Sequence, residues 1–144
     1  MYLESIGVDP ESNGMRYTAW HFDNNEQDAN ELVQLVLQGK KRATASSLWV
    51  YEAESEPVPE VGDLSVVTDW SGVAKCIIKT TRVDVVPFRD VSEEFARTEG
   101  EGDGSLAYWR RVHRTFFTQE CAEIERAFTA DMPVVCEEFD VVFR

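Results

Sequence analysis

Apolar positions recur at helical spacing early in the chain, where Leu32, Leu35 and Val36 fall on one face of a helix predicted over residues 29–38. Asn24, Asn25 and Asp28 offer caps at its start, and Gly39 stands where a left-handed residue closes a helix. β-Branched residues take over at 64–70 and again at 74–86. Ser71-Gly72 lies between them, which predicts an antiparallel hairpin that Pro87 ends. Helical spacing returns with Leu106, Trp109, Val112, Phe116 and Phe117 on a shared face, capped by Asp103 or Ser105. Asp90 and Glu93 form a capping-box pattern ahead of a short helix through Phe95 and Ala96. A further helix is expected over 118–129, with Cys121, Ile124 and Phe128 inward, before Met132-Pro133 breaks it and 134–143 forms a closing strand.

Other stretches carry weaker patterns. Residues 1–16 read as an irregular lead-in, and Tyr17, Trp20 and Phe22 as an aromatic cover on the core. Ala43 to Tyr51 is mixed, either a short helix or an extended segment, and the acidic stretch from Glu52 to Pro59 is an exposed loop. Strands and helices do not alternate regularly, which argues against a doubly wound parallel sheet. The expectation is an α+β fold: a small, mostly antiparallel β-barrel with helices packed around it, forming one domain over residues 1–144.

Composition narrows the class. Hydrophobic residues make up 43% of the 144 residues, ordinary for a globular fold, and no apolar run approaches the ~20 residues of a membrane helix. The first residues lack the basic and apolar segments of a signal peptide. Cys76, Cys121 and Cys136 are odd in number and far apart, so they read as buried thiols in a reducing compartment, the cytoplasm. The formal net charge of −13 opposes binding to a long nucleic-acid duplex, whose phosphates call for a basic surface. A nucleotide, a modified nucleoside or a short single strand held in a local pocket remains compatible with it.

Two stretches carry candidate chemistry. The first, Gly39-Lys40-Lys41-Arg42-Ala43-Thr44, sets three consecutive cations in a chain with 14 Lys and Arg against 27 Asp and Glu. The negative end of the preceding helix dipole is reason enough for such a run; a seat for an anion is the functional alternative. The second, Glu99-Gly100-Glu101-Gly102-Asp103-Gly104, interleaves three carboxylates with three glycines. It is either a flexible acidic loop or a set of oxygen ligands for Mg²⁺ or Mn²⁺, the one cofactor alternative to none. Trp49, Tyr108 and Trp109 are core residues or platforms for a stacked base.

The sequence resembles the ASCH family of PUA-like domains. The family pattern G-x-K-x-x-T stands here as Gly39, Lys41 and Thr44. The likeness continues through Trp49-Val50-Tyr51-Glu52, Pro59-Glu60-Val61-Gly62-Asp63, Val85-Val86-Pro87-Phe88, the run from Phe95 to Asp103, Ser105 to Arg110, His113, Phe116-Phe117 and Val135 to Phe139. The resemblance implies a PUA-like barrel with a cleft lined by the G-x-K-x-x-T loop, which takes RNA or a nucleotide-like ligand. Two activities occur in the family: removal of the acetyl group from N4-acetylcytidine, and metal-dependent cleavage of single-stranded RNA. Matching residue by residue, the catalytic set of the amidohydrolase falls on Lys41, Thr44 and Glu99. Gly39, Lys40, Arg42, Ser46, Trp49, Asp103, Trp109 and Arg110 are the expected ligand-binding residues. One departure is Ser46, where short members carry an Arg that Arg42, Arg97 or Arg110 would have to replace. For Lys41 to act as a base its pKa must fall, by burial or through Lys40 and Arg42; for Glu99 to give a proton its pKa must rise, through Glu101 and Asp103.

Overall fold

The computed structural model describes residues 17–22 and 25–143; the lead-in expected over 1–16 and the cap expected of Asn24 lie outside them. The described elements are β1 (Tyr17–Trp20), α1 (Glu26–Leu37), β2 (Ala43–Ser47), α2 (Leu48–Ala53), β3 (Leu64–Thr68), β4 (Ala74–Pro87), α3 (Glu93–Glu99), α4 (Leu106–Glu123) and β5 (Pro133–Phe143). The strands make one curled five-stranded sheet, a half-barrel, in the order β1-β3-β4-β5-β2, with the helices around it.

The predicted hairpin is β3 and β4, in antiparallel register from Leu64↔Lys79 to Thr68↔Ala74. β5 lies between β4 and the edge strand β2. It pairs antiparallel with β4 from Ile77↔Phe143 to Pro87↔Pro133, and with β2 from Ala43↔Glu138 to Ser47↔Val134. β1 departs from the antiparallel pattern: it lies parallel to β3, Tyr17↔Leu64 through Trp20↔Val67. Four residues are too few to reveal a strand by alternation, so this stretch reads in the sequence only as an aromatic cover. The cover exists as well, since Trp20 and Phe22 are buried edge to face with ring centroids 4.9 Å apart.

Two apolar clusters hold the sheet to its helices. Val33 and Val36 of α1 pack with Trp20, Phe22, Val67, Ile78 and Phe139. Trp109, Phe117 and Cys121 of α4 pack with Phe88, Phe95, Met132 and Val134. Each fully buried side chain of this size contributes ~1.5–3 kcal/mol. Cys76, Cys121 and Cys136 are buried free thiols. Among the described residues no helix is long and apolar enough to cross a membrane.

The local chemistry corrects several sequence expectations. Ser92, not Asp90, caps α3, its hydroxyl accepting from the Phe95 amide. Ser105 caps α4 by accepting from the Tyr108 amide, while Asp103 accepts from the Ser105 amide just outside the helix. The helix expected over 118–129 does not form separately. α4 continues through Glu123, and the chain leaves it through Glu125 at φ 59°. The ambiguous stretch after Arg42 divides, Ala43–Ser47 as strand and Leu48–Ala53 as helix.

Gly39 and Gly100 bring the two candidate stretches together. Gly39 leaves α1 at φ 78°, and Gly100 closes α3 in the left-handed region at φ 67°. A side-chain carbon at Gly100 would overlap the Lys40 carbonyl oxygen, so the two loops meet backbone to backbone. The Arg42 amide also donates to the Thr98 carbonyl at 2.9 Å. Gly100→Ala is therefore expected to cost more than the ~1–3 kcal/mol of left-handed strain alone. Gly104→Ala, at φ 75° with open space around it, is expected to cost only that strain. Thermal or urea denaturation of the two variants checks the difference.

Candidate functional site

The loop after α1 turns Lys41 inward. Its ammonium is 1% exposed and gives its three protons to three acceptors: the Ala43 carbonyl at 2.7 Å, Glu99 Oε2 at 2.7 Å and Glu101 Oε2 at 2.8 Å. The Phe22 ring lies 5.1 Å away. Glu99, also 1% exposed, receives the Trp109 indole N–H on Oε1 at 2.8 Å. His113 stacks on Trp109 with centroids 4.2 Å apart and donates from Nδ1 to the Trp109 carbonyl, which leaves Nε2 at 3.5 Å from Glu99 Oε1. Gly100 allows Glu101 to return to the same ammonium. The fold thus brings one cation and two carboxylates into a buried cluster from two stretches far apart in the sequence.

The protonation of this cluster differs from the sequence expectation. Burial pulls the Lys41 pKa down, but the charges of Glu101 and Glu99 outweigh it, and the net shift is upward. Lys41 is a firm cation, not the base sought in the sequence, and exposed Lys40 is no part of its surroundings. For Glu99, burial pushes upward, yet Lys41 and the hydrogen bonds from Glu101, Lys41 and Trp109 hold its pKa below the ordinary value. The proton-carrying group is Glu101. Burial and the neighbouring Glu99 raise it to about 7, against the pull of Lys41.

The cluster opens on a cleft of about 290 Å³, at the small end of the ~300–1,000 Å³ usual for small-molecule sites. Lys41, Thr44, Ser46 and Glu99 line it; Gly39, Lys40, Arg42, Trp49, Asp103, Trp109 and Arg110 do not. Trp109 acts behind the cleft by holding Glu99. Trp49 is covered by the Arg126 guanidinium, 3.7 Å from its ring centroid. Exposed Arg110 reaches the Arg89 carbonyl at 3.3 Å, so neither it nor Arg42 supplies the charge that Ser46 lacks.

Lys41 is the one Lys or Arg among the described lining residues. Glu54, Glu56, Glu120 and Glu123 stand exposed or half-exposed at the mouth, and buried Glu137 lines the interior. Glu137 accepts from the Thr80 hydroxyl at 2.6 Å, and burial raises its pKa against that bond. Glu137 lies in a stretch that carries the family resemblance, Val135 to Phe139, but nothing in the sequence assigned it a role in the site. Asp103, expected among the ligand-binding residues and weighed as an oxygen ligand beside Glu99 and Glu101, is exposed and spent on the Ser105 amide. The potential ligand atoms that do cluster, within 4.8 Å of one another, are those of Glu99, Glu101 and His113. Lys41 already sits on both carboxylates, so a divalent cation there would have to displace a buried ammonium. The donor set does not fit a resident metal.

Two pH-dependent outcomes follow. Glu101 titrates at about 7 when folded against 4.5 for an ordinary glutamate. Its stabilising contribution is complete below the lower value and is lost as pH rises through the higher one, on the order of 3 kcal/mol in all. Glu101→Gln is expected to reduce the loss of stability between about pH 5 and about pH 8, measured by urea denaturation across that range. Lys41→Met leaves buried Glu99 without its cation and is expected to cost about 3–5 kcal/mol near neutral pH. That cost shrinks in acid as the carboxyls take protons, a trend readable in the same titrations.

The family model for the ASCH domain matches residues 18–143. The crystal structure of an ASCH domain from Lactobacillus crispatus JV V101 is 42% identical, with TM-score 0.87 over 95% of this chain and 87% of that one. The crystal structure of an Enterococcus faecalis V583 protein is 39% identical, with TM-score 0.81 over 87% of this chain and 76% of that one. A third structure, of a hypothetical protein, is 19% identical with TM-score 0.58 over 89% of this chain and 100% of that one, and shares the fold alone. No curated protein matches. With the model spanning the sheet, the helices and the cleft, the chain belongs to the ASCH domain family.

Proposed function

We propose that the cleft binds an uncharged modified nucleoside, of the N4-acylated cytidine kind, and hydrolyses the amide on its base. The observation that carries this reading is the state of Lys41: its charge is neutralised by Glu99 and Glu101 and its three protons are spent. It offers no seat for a phosphate. The remaining carboxylates of the cleft repel one, and a cleft of about 290 Å³ suits one nucleoside better than a strand of RNA. Among the ligands the family resemblance suggests, the neutral nucleoside is the one this charge pattern favours.

The chemistry divides among the lining groups. The Thr44 hydroxyl attacks the acyl carbon. Glu101, whose pKa of about 7 leaves it part-protonated at neutral pH, gives its proton to the leaving amine. Glu99, fixed by Trp109, keeps Lys41 charged and in place.

The wild-type protein is expected to release cytidine and acetate from N4-acetylcytidine, followed by chromatography. A 5′-phosphate on the same nucleoside is expected to raise KM about tenfold or more. Glu101→Gln is expected to lower kcat about 10²-fold or more and to abolish the fall in rate above about pH 7 that loss of the Glu101 proton produces. Failure to turn over any acylated nucleoside, or tighter binding of nucleotides than of nucleosides, would overturn the reading.

A further inference from the structure

A threonine hydroxyl is a poor nucleophile until a base takes its proton. Lys41 is the neighbouring residue in the family pattern, but it is a paired cation with no lone pair to offer. Glu99 is held by that ammonium and by Trp109, and Glu101 carries the proton meant for the leaving amine. The sheet register supplies another group. In the antiparallel pairing of β2 with β5, Thr44 lies directly opposite Glu137. Directly opposed residues project from the same face of a sheet, with Cβ atoms ~4.5–5.5 Å apart. Both side chains line the cleft, so that shared face is the one turned to the ligand.

We propose that Glu137 takes the Thr44 hydroxyl proton, so that the cleft holds two carboxyl centres with opposite duties. This deepens the hydrolase reading above and rests on it for the substrate, though not for the activated hydroxyl. Glu137 is 6% exposed, and one of its oxygens accepts from the Thr80 hydroxyl of β4 at 2.6 Å, which leaves the other oxygen of the carboxylate for the Thr44 proton. The charged and titratable groups facing it are Asp63, Lys41 and the Tyr51 phenol of α2. Asp63 and burial raise its basicity, Thr80 and Lys41 temper it, and Tyr51, itself pushed up to about 12 by burial, stays neutral.

The steps balance. Glu137 accepts the proton of Thr44 as Oγ bonds to the acyl carbon. The C–N bond breaks, and the amine leaves with the proton that Glu101 held. Water then attacks the acyl-threonine ester, giving one proton to Glu101. The ester C–O bond breaks, and the Thr44 oxygen recovers the proton held on Glu137. The sum is amide plus water giving carboxylic acid plus amine, with each side chain restored.

The test uses the full chain and an activated ester, p-nitrophenyl acetate, with acetylation located at Thr44 by peptide mass spectrometry. Wild type is expected to be acetylated at Thr44, more slowly as pH falls and Glu137 protonates. Glu137→Gln is expected to slow that labelling about 10²-fold and flatten its pH profile; Glu137→Asp keeps a carboxylate and the pH dependence at a reduced rate. Thr80→Val removes the bond that lowers the Glu137 pKa, so the midpoint of the labelling profile is expected to move to higher pH. This variant decides the question if Glu137→Gln does not fold. Absence of Thr44 labelling in wild type, equal labelling in Glu137→Gln, or an unmoved midpoint in Thr80→Val overturns the assignment. Intact, Glu137-dependent labelling without turnover of acylated nucleosides would overturn the substrate reading and leave Glu137 as the base.

Discussion

An ammonium buried to 1% exposure must find acceptors for all three protons, because an unpaired buried charge costs several kcal/mol. Lys41 finds them at the start of β2, at the end of α3 and in the loop beyond. Much of the architecture serves that meeting. The left-handed turn at Gly39 sends the chain inward from α1, and the one at Gly100 reverses it so that Glu101 arrives beside Glu99. Trp109 on α4 occupies the second oxygen of Glu99, which ties the ion cluster to the larger apolar core. Among the described residues no buried side-chain nitrogen or oxygen lacks a partner, so the cluster is a closed hydrogen-bond system facing a cleft.

Closure of that system fixes the electrostatics of the cleft. A basic run in an acidic chain suggests an anion site, but here the one cation that enters is consumed internally. What remains for a ligand is a carboxyl near Glu99 with a pKa of about 7, a second carboxyl on β5 held by Thr80, and the Thr44 hydroxyl that lines the same cleft. Such a set suits proton traffic on a neutral molecule. It does not suit counter-charge for a phosphate.

Much of this was legible in the sequence, and unevenly. α1, the β3–β4 hairpin and β5 follow from periodicity and β-branching, and the family pattern placed Lys41, Thr44 and Glu99, three residues that the structure does set around one cleft. The protonation states were not legible, because they depend on which groups meet across 58 to 60 residues of chain: Glu101 joined Lys41 and took the raised pKa assigned beforehand to Glu99. Trp49 and Trp109 looked equally fit to stack a base, yet one lies under Arg126 and the other behind Glu99. Glu137 acquires its place only through the pairing of β5 with β2, a register between strands some 90 residues apart. The extent of α4 was misjudged for a similar reason, since the packing of Cys121 against Met132 and Phe117 holds the last turns in one helix.

The glutamates at the mouth bear on what leaves the cleft as well as on what enters. On the proposed chemistry the acyl fragment departs as an anion, while the base returns as a neutral amine. Glu54, Glu56, Glu120 and Glu123 therefore expel the acid by like-charge repulsion and disfavour its return. On that chemistry the ring of carboxylates at the mouth sorts the two products by charge, retaining neither the acid nor any other anion.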